Sequence, residues 1–240
     1  SREHHRFLVA GARGTGGGHG AGARVSARPA AGGGRWVEVP AERLTRWFDG
    51  FAERHGPFEA SATPEVVTVT AADGAVAECH VPFPPLVGSG GVLTSLAAHA
   101  RADRRVGVLL VRLGGFSTGV FAGTELVASK TDSRPVHGRN RAGGSSSGRF
   151  ARRREGQARH ALEVAADTAV RVLLPHAGTL DAVVTGGDHS AVDAVLADPR
   201  LAPLRALVTG PFLPVPDPKR AVLDTAPSLY RTVRIRVIDP

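Results

Sequence analysis

The sequence predicts a mixed α/β fold in two parts: a small α+β domain, then a larger domain built on a mixed sheet. Two observations lead to this prediction. An early helical pattern is followed by two short strands around a tight turn. Later, three strand patterns succeed one another before helices and strands alternate. We expect a flexible segment at 1–34, the small domain with its linker at 35–100, and the larger domain at 101–240.

The first 34 residues are expected to be flexible. Gly, Ala and Arg dominate from Gly11 to Gly34, and large apolar side chains are almost absent. A segment of this composition cannot bury enough apolar surface to offset the entropy lost on ordering.

The small domain begins with a helix, followed by a hairpin. Leu44, Phe48 and Phe51 recur at helical spacing, which predicts a helix over 41–55. Asp73-Gly74 is a hairpin-type turn signal between two Val-rich runs at 66–69 and 76–79. The stretch 82–91 is a linker candidate, and 92–100 is predicted to be a helix that leads into the next domain.

The larger domain opens on an apolar run that is typical of a buried strand. The strands of the expected meander are 106–113, 116–121 and 125–130. A loop over 131–148 then precedes a long helix, 149–174, whose apolar residues repeat every three or four positions. The remaining predicted elements are a strand at 181–185, a helix at 191–196, a short strand at 206–208 and a final strand at 230–238. This order is typical of a ribonuclease-H-like mixed sheet.

Composition narrows the function classes. The 240 residues carry a formal net charge of +8, almost all of it from arginine, which favours an RNA or ribosomal partner. The single cysteine, Cys79, excludes an internal disulfide and a cysteine-rich zinc site. This cysteine usage is consistent with a reducing cytosol. Because we find neither a secretory leader pattern nor an apolar run of about 18 residues, we expect a soluble cytoplasmic protein without a membrane partner.

The most informative stretch is 143–155, where a Gly/Ser tip is joined directly to an Arg-rich helix start. Glycine lets a backbone approach its target closely, and guanidinium groups pair with phosphates in a forked geometry. The alternative is a basic loop that simply faces water. The candidate RNA-binding residues are Arg139, Arg141, Arg149, Arg152, Arg153 and Arg154.

A serine hydrolase is one alternative. Residues 144–148 match Gly-x-Ser-x-Gly, with Ser146 at the nucleophile position and Asp188 and His189 as conceivable partners. That motif must follow a buried strand, whereas the preceding residues 136–141 are polar and basic. Asp188 and His189 are also adjacent and sit in a Gly186-Gly187 turn, which favours a strand-end or helix-cap role for them.

A metal-dependent nuclease is the second alternative, because it uses clustered carboxylates on a sheet of this kind. The run 106–113 contains no acid, and only Asp103, Asp132 and Asp181 are candidates near the sheet. We therefore expect neither a metal ion nor an organic cofactor.

The Arg-rich stretch resembles a known family. The pattern Gly143-Gly144-x-Ser146-x-x-Arg149-Phe150-Ala151-Arg152-x-Arg154, followed by Val164-Ala165-x-x-Thr168-Ala169-Val170, is similar to the middle domain of eukaryotic and archaeal class-1 release factors. It is more similar to the release-factor-like peptidyl-tRNA hydrolases of ribosome rescue, the VLRF group, which has actinobacterial members. The likeness covers roughly 105–240.

This resemblance implies a ribosomal function. In that family the glycine loop enters the peptidyl-transferase centre of the large subunit, where a glutamine at its tip helps to position the water that cleaves peptidyl-tRNA. The implied partners are the ribosome, its rRNA and peptidyl-tRNA, with no DNA and no membrane.

The chain departs from the family at the tip. Release-factor spacing places the glutamine at Ser145, and rescue-factor spacing places it at Ser146 or Ser147; the nearest glutamine is Gln157. Backbone amides of the tip remain able to stabilise an oxyanion. The candidate catalytic residues are Gly143, Gly144, Ser145, Ser146 and Ser147. Two hypotheses follow, a release-factor-type peptidyl-tRNA hydrolase and a non-catalytic ribosome- or RNA-binding factor.

Overall fold

The computed structural model describes residues 27–112, 114–133 and 147–240, and for 147–154 it describes the backbone. These residues form two compact units. The first combines the chain up to Ala102 with Arg231–Pro240, and the second is Asp103–Tyr230.

The first unit contains most of its strands before its second helix. Its elements up to that point are β1 (Ala27–Pro29), β2 (Arg35–Val39), α1 (Leu44–His55), β3 (Phe58–Ala62), β4 (Val66–Ala71), β5 (Val76–His80) and α2 (Val92–Arg101). A short 3-10 turn, Ala41–Arg43, precedes α1. The predicted helix at 41–55, the hairpin around Asp73-Gly74 and the helix at 92–100 are therefore all present.

The second unit has the predicted meander and crossover. Its elements are β6 (Arg105–Arg112), β7 (Gly115–Ala122), β8 (Glu125–Ser133), α3 (Ser147–Val172), β9 (Ala182–Gly187), α4 (His189–Leu196), α5 (Ala202–Arg205), α6 (Arg220–Asp224) and α7 (Ala226–Tyr230). The chain then returns to the first unit as β10 (Val233–Ile238).

The sheet of the second unit confirms the predicted mixed architecture. Its strand order is β8-β7-β6-β9, with the first three strands antiparallel and β9 parallel to β6. Parallel bridges from Val183 to Val208 and from Gly186 to Leu213 continue the sheet beyond β9. The strand expected at 206–208 is thus present only as such a bridge.

Helices pack on both faces of the sheet that contains β6, which fits the unbroken apolar run of this strand. Residues 106–111 are all buried. Helices α3 and α4 pack on one face through residues such as Ala169 and Val195. On the other face, Leu223 of α6 lies so close to Gly119 of β7 that an added Cβ would be 3.2 Å from its Cδ2 atom.

The last strand joins a different sheet from the one we expected. The sequence predicts that 230–238 belongs with the domain at 101–240. Strand β10 pairs with β2 on one side and β5 on the other, giving the first unit an antiparallel sheet of order β1-β2-β10-β5-β4-β3. Val233, Ile235 and Val237 are buried in its core. Their alternation with arginine fits any half-buried strand, so it could not specify which sheet the strand joins.

The structure also differs from the expectation of a flexible segment at 1–34, in the part of that segment that it describes, 27–34. Residues 27–29 form β1, and the glycines that follow turn the chain into β2. Gly32 has φ +81° and Gly34 has φ +79°, and an added Cβ at Gly34 would lie 2.3 Å from the Val237 oxygen. Glycine therefore permits a tight turn here. Residues 1–26 lie outside the described part of the chain.

Candidate functional site

The predicted catalytic tip lies mostly outside the described residues. This applies to Gly143, Gly144, Ser145 and Ser146, and also to Arg139 and Arg141. The structure does describe the two elements on either side of this segment. Strand β8 ends at Ser133, and α3 begins at Ser147.

Ser147, expected in the tip, is the first residue of α3. The four remaining candidate arginines, Arg149, Arg152, Arg153 and Arg154, belong to the first turns of the same helix of 26 residues. The first four N–H groups of an α-helix have no partner within the helix, and its dipole places partial positive charge at that end. The backbone at the base of the loop therefore adds to the positive charge that the arginines supply.

Strand β8 ends at the carboxyl edge, which we define as the ends of β6, β8 and β9 with the residues that follow them. The register of β6 with β7 and β9 places Arg112, Gly115 and Gly187 at this edge. In open α/β sheets, ligands commonly bind outside the carboxyl ends of the strands.

Close backbone packing fixes the carboxyl edge. The Asp188 N–H donates to the Val111 oxygen at 2.8 Å, and Arg112 Nη1 donates to the Val215 oxygen at 2.9 Å. Gly187 has φ +100°, and an added Cβ would lie 2.2 Å from the Val111 oxygen. The edge therefore requires glycine at this position.

Asp188 is the N-cap of α4, as its sequence context favoured. Its Oδ1 accepts from the Ser190 N–H at 3.0 Å, the Ala191 N–H at 3.3 Å and the Ser190 hydroxyl at 2.7 Å. The Ser190 hydroxyl bond is the main cause that lowers the pKa of Asp188, and the Arg112 charge contributes in the same direction.

His189 is engaged elsewhere. Its ring stacks on Phe212 with centroids 3.5 Å apart and planes 15° from parallel. Within the described contacts, no hydrogen bond joins Asp188 to His189. The arrangement therefore gives no support to a serine-hydrolase triad.

The space beneath α3 is too small for a substrate. A crevice of about 10 Å³ lies between α3 and the β6–β7 hairpin, lined by residues including Phe116 and Leu162. This is about the volume that one water requires.

The three nuclease candidates do not converge. Asp181 accepts from the Arg105 N–H at 2.7 Å, at the start of β6, and Asp103 lies against Gly123 at the same end. Asp132 is near the opposite end of the sheet, in register with Phe116. Among the residues that the structure describes, we find no cluster of His, Cys, Asp or Glu able to hold a metal ion. Likewise, no described helix is long and apolar enough to cross a membrane.

Comparison with protein families decides the classification. The family model described as the Actinobacteria/chloroflexi VLRF1 release factor matches residues 104–236, more than half of the chain. The chain belongs to this release-factor family. The match confirms the resemblance read from the Arg-rich stretch, and it spans the loop and both elements that hold it.

Two solved structures are more distant. The crystal structure of the archaeal translation termination factor aRF1 aligns with a TM-score of 0.38 and 13% identity, covering 68% of this chain and 51% of that one. A second archaeal protein aligns with a TM-score of 0.34 and 14% identity, covering 80% and 62%. The chain therefore spans about half the length of aRF1. No curated protein matches it at a significant level.

Sequence reasoning missed two features of the VLRF1-type domain. The first feature is Arg112, which the sequence pattern places only at the end of a buried run. A basic residue at the carboxyl end of a strand could have indicated a residue of the candidate site. The pairing of His189 with Phe212 joins residues far apart in sequence, and no local pattern indicates it.

Proposed function

We propose that this protein is a ribosome-associated, release-factor-type peptidyl-tRNA hydrolase that frees nascent chains from stalled ribosomes in the cytoplasm. The observation that carries the proposal is the VLRF1 family match, whose span of 104–236 includes β8, residues 134–146 and α3. The large subunit, its rRNA and peptidyl-tRNA are the proposed partners.

The start of α3 supports this role. Thirteen residues, 134–146, separate the end of β8 from the start of α3 in the sequence. Because the first turn of a helix carries partial positive charge, we propose that this end of α3 and the glycine-containing residues before it enter an rRNA-lined cavity.

The proposed reaction is ester hydrolysis with water as the nucleophile. Water adds to the carbonyl carbon that joins peptide to tRNA, the ester bond breaks, and the tRNA 3′ oxygen leaves with a proton. Backbone N–H groups of 144–147 would stabilise the oxyanion that develops on the carbonyl oxygen. The ribosome would supply most of the remaining active site, without a metal ion or organic cofactor.

Release and binding must be measured separately to test this function. The full chain is incubated with large subunits that carry peptidyl-tRNA, and peptide release and cosedimentation are both recorded. We expect the chain to cosediment with the large subunits and to release peptide. Gly143→Ala combined with Gly144→Ala should lower release more than cosedimentation, because the added methyl groups hinder close approach of the backbone.

Ser146→Ala is the matched control for the nucleophile. If water attacks, this variant keeps the parent's release rate. Loss of release with unchanged binding would instead make Ser146 the nucleophile and overturn the proposed mechanism.

The second candidate function is a non-catalytic factor that occupies the ribosome through the same arginines. The serines at the position of the family's glutamine favour it. Cosedimentation without release above background would establish this alternative.

A further inference from the structure

The first unit has a sheet face that its own helices leave uncovered. Helices α1 and α2 pack on the opposite face, through residues such as Phe51 and Leu96. The strand register places two neighbouring cross-strand rows on the uncovered side, and we call these seven residues the open face. They are Arg28, Trp36, Arg236 and Glu78 in one row, and Glu38, Arg234 and His80 in the next.

An aromatic cluster lies at the centre of the open face. The Arg234 guanidinium carbon is 4.6 Å from the centroid of the Trp36 ring. The His80 ring contacts the same indole edge-on, with centroids 5.1 Å apart. Trp36 is half-buried, whereas Arg234 and His80 are exposed. Two rings and a guanidinium are therefore accessible together on one side of a sheet.

The two arginines of β10 are held differently. Arg236 is fixed by the Gly32 oxygen at 2.7 Å, the Gly33 oxygen at 3.1 Å and Glu78 at 3.3 Å. Among the described residues, the Arg234 guanidinium lies over the Trp36 ring and its side chain makes no hydrogen bond. Its donors are consequently available to a ligand that binds beside the indole.

These features match the chemistry of single-stranded nucleic acid. Exposed bases stack on aromatic rings and on Arg guanidinium planes, and sheet faces are a recurrent platform for this. A base-paired duplex keeps its bases stacked inside and offers no such surface. Glu38 and Glu78 in the two rows can accept hydrogen bonds from base amino groups.

We propose that the open face binds a single-stranded segment of RNA, with bases stacked on Trp36 and His80 and with Arg234 hydrogen-bonded to the same segment. This site lies in the first unit. Trp36 and His80 precede the family match, which begins at residue 104, and Arg234 lies close to its end at residue 236. It is independent of the release reaction, and either proposal can fail without the other.

Tryptophan fluorescence provides a local readout. The chain has two tryptophans, and the second, Trp47, stacks on Phe51 on the helix-covered side. In the full-length Trp47→Phe variant, Trp36 is the reporter. Titration with an unstructured RNA of about ten nucleotides, a typical single-strand site size, should quench its emission saturably.

Substitutions then test the named contacts, with binding followed by the anisotropy of labelled RNA. Trp36→Ala should weaken binding about fivefold or more, the effect expected when one stacked base is lost. Arg234→Ala should also weaken it, and Trp36→Phe should retain part of the affinity because a ring remains. Arg46→Ala removes the same charge from the exposed side of α1, and should leave Trp36 quenching unchanged.

Each outcome decides for or against the proposal. RNA that binds without quenching Trp36, or with equal affinity after Arg234→Ala, overturns it, since binding would then be elsewhere. Equal quenching by a duplex of the same length or by a poly-glutamate peptide also overturns it. Thermal unfolding identifies a variant that fails to fold; if Trp36→Ala does, quenching in the Arg234→Ala, Trp47→Phe double variant provides the test.

Discussion

At the residue scale, the tip of the loop lacks the side chain that the family resemblance implies. Ser145, Ser146 and Ser147 stand where a glutamine is expected. A serine hydroxyl is shorter than a glutamine amide and cannot offer both an amide donor and a carbonyl acceptor. If side-chain positioning of water matters, the chain should bind its target well and release peptide slowly.

Installing glutamine at Ser145, Ser146 or Ser147 in turn should accelerate release at one position. We expect a gain of about tenfold to a thousandfold, the effect of one well-placed polar group in a transition state. Release rates of the three variants give the register directly. Equal rates in the parent and in all three variants would show that backbone groups suffice.

Asp188 is a second residue whose role can be isolated. Asp188→Ala removes the acceptor for two backbone N–H groups at the start of α4 and should lower Tm by several degrees, whereas Asp188→Asn keeps an acceptor and should be milder. The pKa of Asp188 is lowered on folding, so its ionised form stabilises the fold above the usual carboxyl pKa. That stabilisation is lost as the pH falls through the folded-state pKa.

Measuring the Tm of the parent and of Asp188→Ala from pH 7 downward tests this loss of stabilisation. The gap between parent and Asp188→Ala should narrow in the acid range. A constant gap would mean that the carboxylate charge is irrelevant to the cap.

At the scale of the element, β10 is central to the sheet of the first unit although it follows the whole second unit in sequence. Ile235 is fully buried, opposite Val37 of β2 and Cys79 of β5. Burial also raises the pKa of the Cys79 thiol to about 12, which keeps it protonated and unreactive. The first unit therefore depends on the last residues of the chain.

Ile235→Ala should destabilise the first unit by about 2 to 5 kcal/mol, the usual cost of truncating a buried isoleucine. Hydrogen exchange of the full chain should accelerate in β2 and β5 more than in β6 and β9. Val127→Ala is the matched control, because Val127 is 49% exposed on β8 and should change little. Equal acceleration in both units would mean that they unfold together.

At the scale of the whole molecule, excess positive charge is expected to govern ribosome binding. The net charge is +8, and Arg149, Arg152, Arg153 and Arg154 begin one helix. A cation that neutralises a phosphate releases counterions, so affinity should fall steeply with salt concentration.

Arg152→Ala combined with Arg153→Ala should weaken ribosome binding and flatten the slope of log affinity against log salt by about one to two units. Cosedimentation across a salt series measures the slope. Arg43→Ala combined with Arg46→Ala, at exposed positions of the first unit, removes the same charge and should leave the slope near the parent value. If the control flattens the slope as much, the RNA surface is not at the start of α3.

The sequence by itself determined the local elements and the family. Helix α1, the β4–β5 hairpin and the β6–β8 meander follow from apolar periodicity and turn residues within a few positions of one another. The Gly-Gly to Arg-Phe block carried the family resemblance, because it combines unusual residues in a short, fixed order. Both kinds of signal are local and can be read without knowing the fold.

Only the tertiary structure decided which elements meet. It placed β10 between β2 and β5, and it brought Arg234 and His80 to Trp36 from distant parts of the chain. It also showed Asp188 capping α4, one of the roles that its sequence context favoured, and His189 stacked on Phe212. Alternation of apolar and polar residues indicates that a strand has one buried face. Which strands it pairs with depends on packing across the whole sheet, and no local pattern encodes that packing.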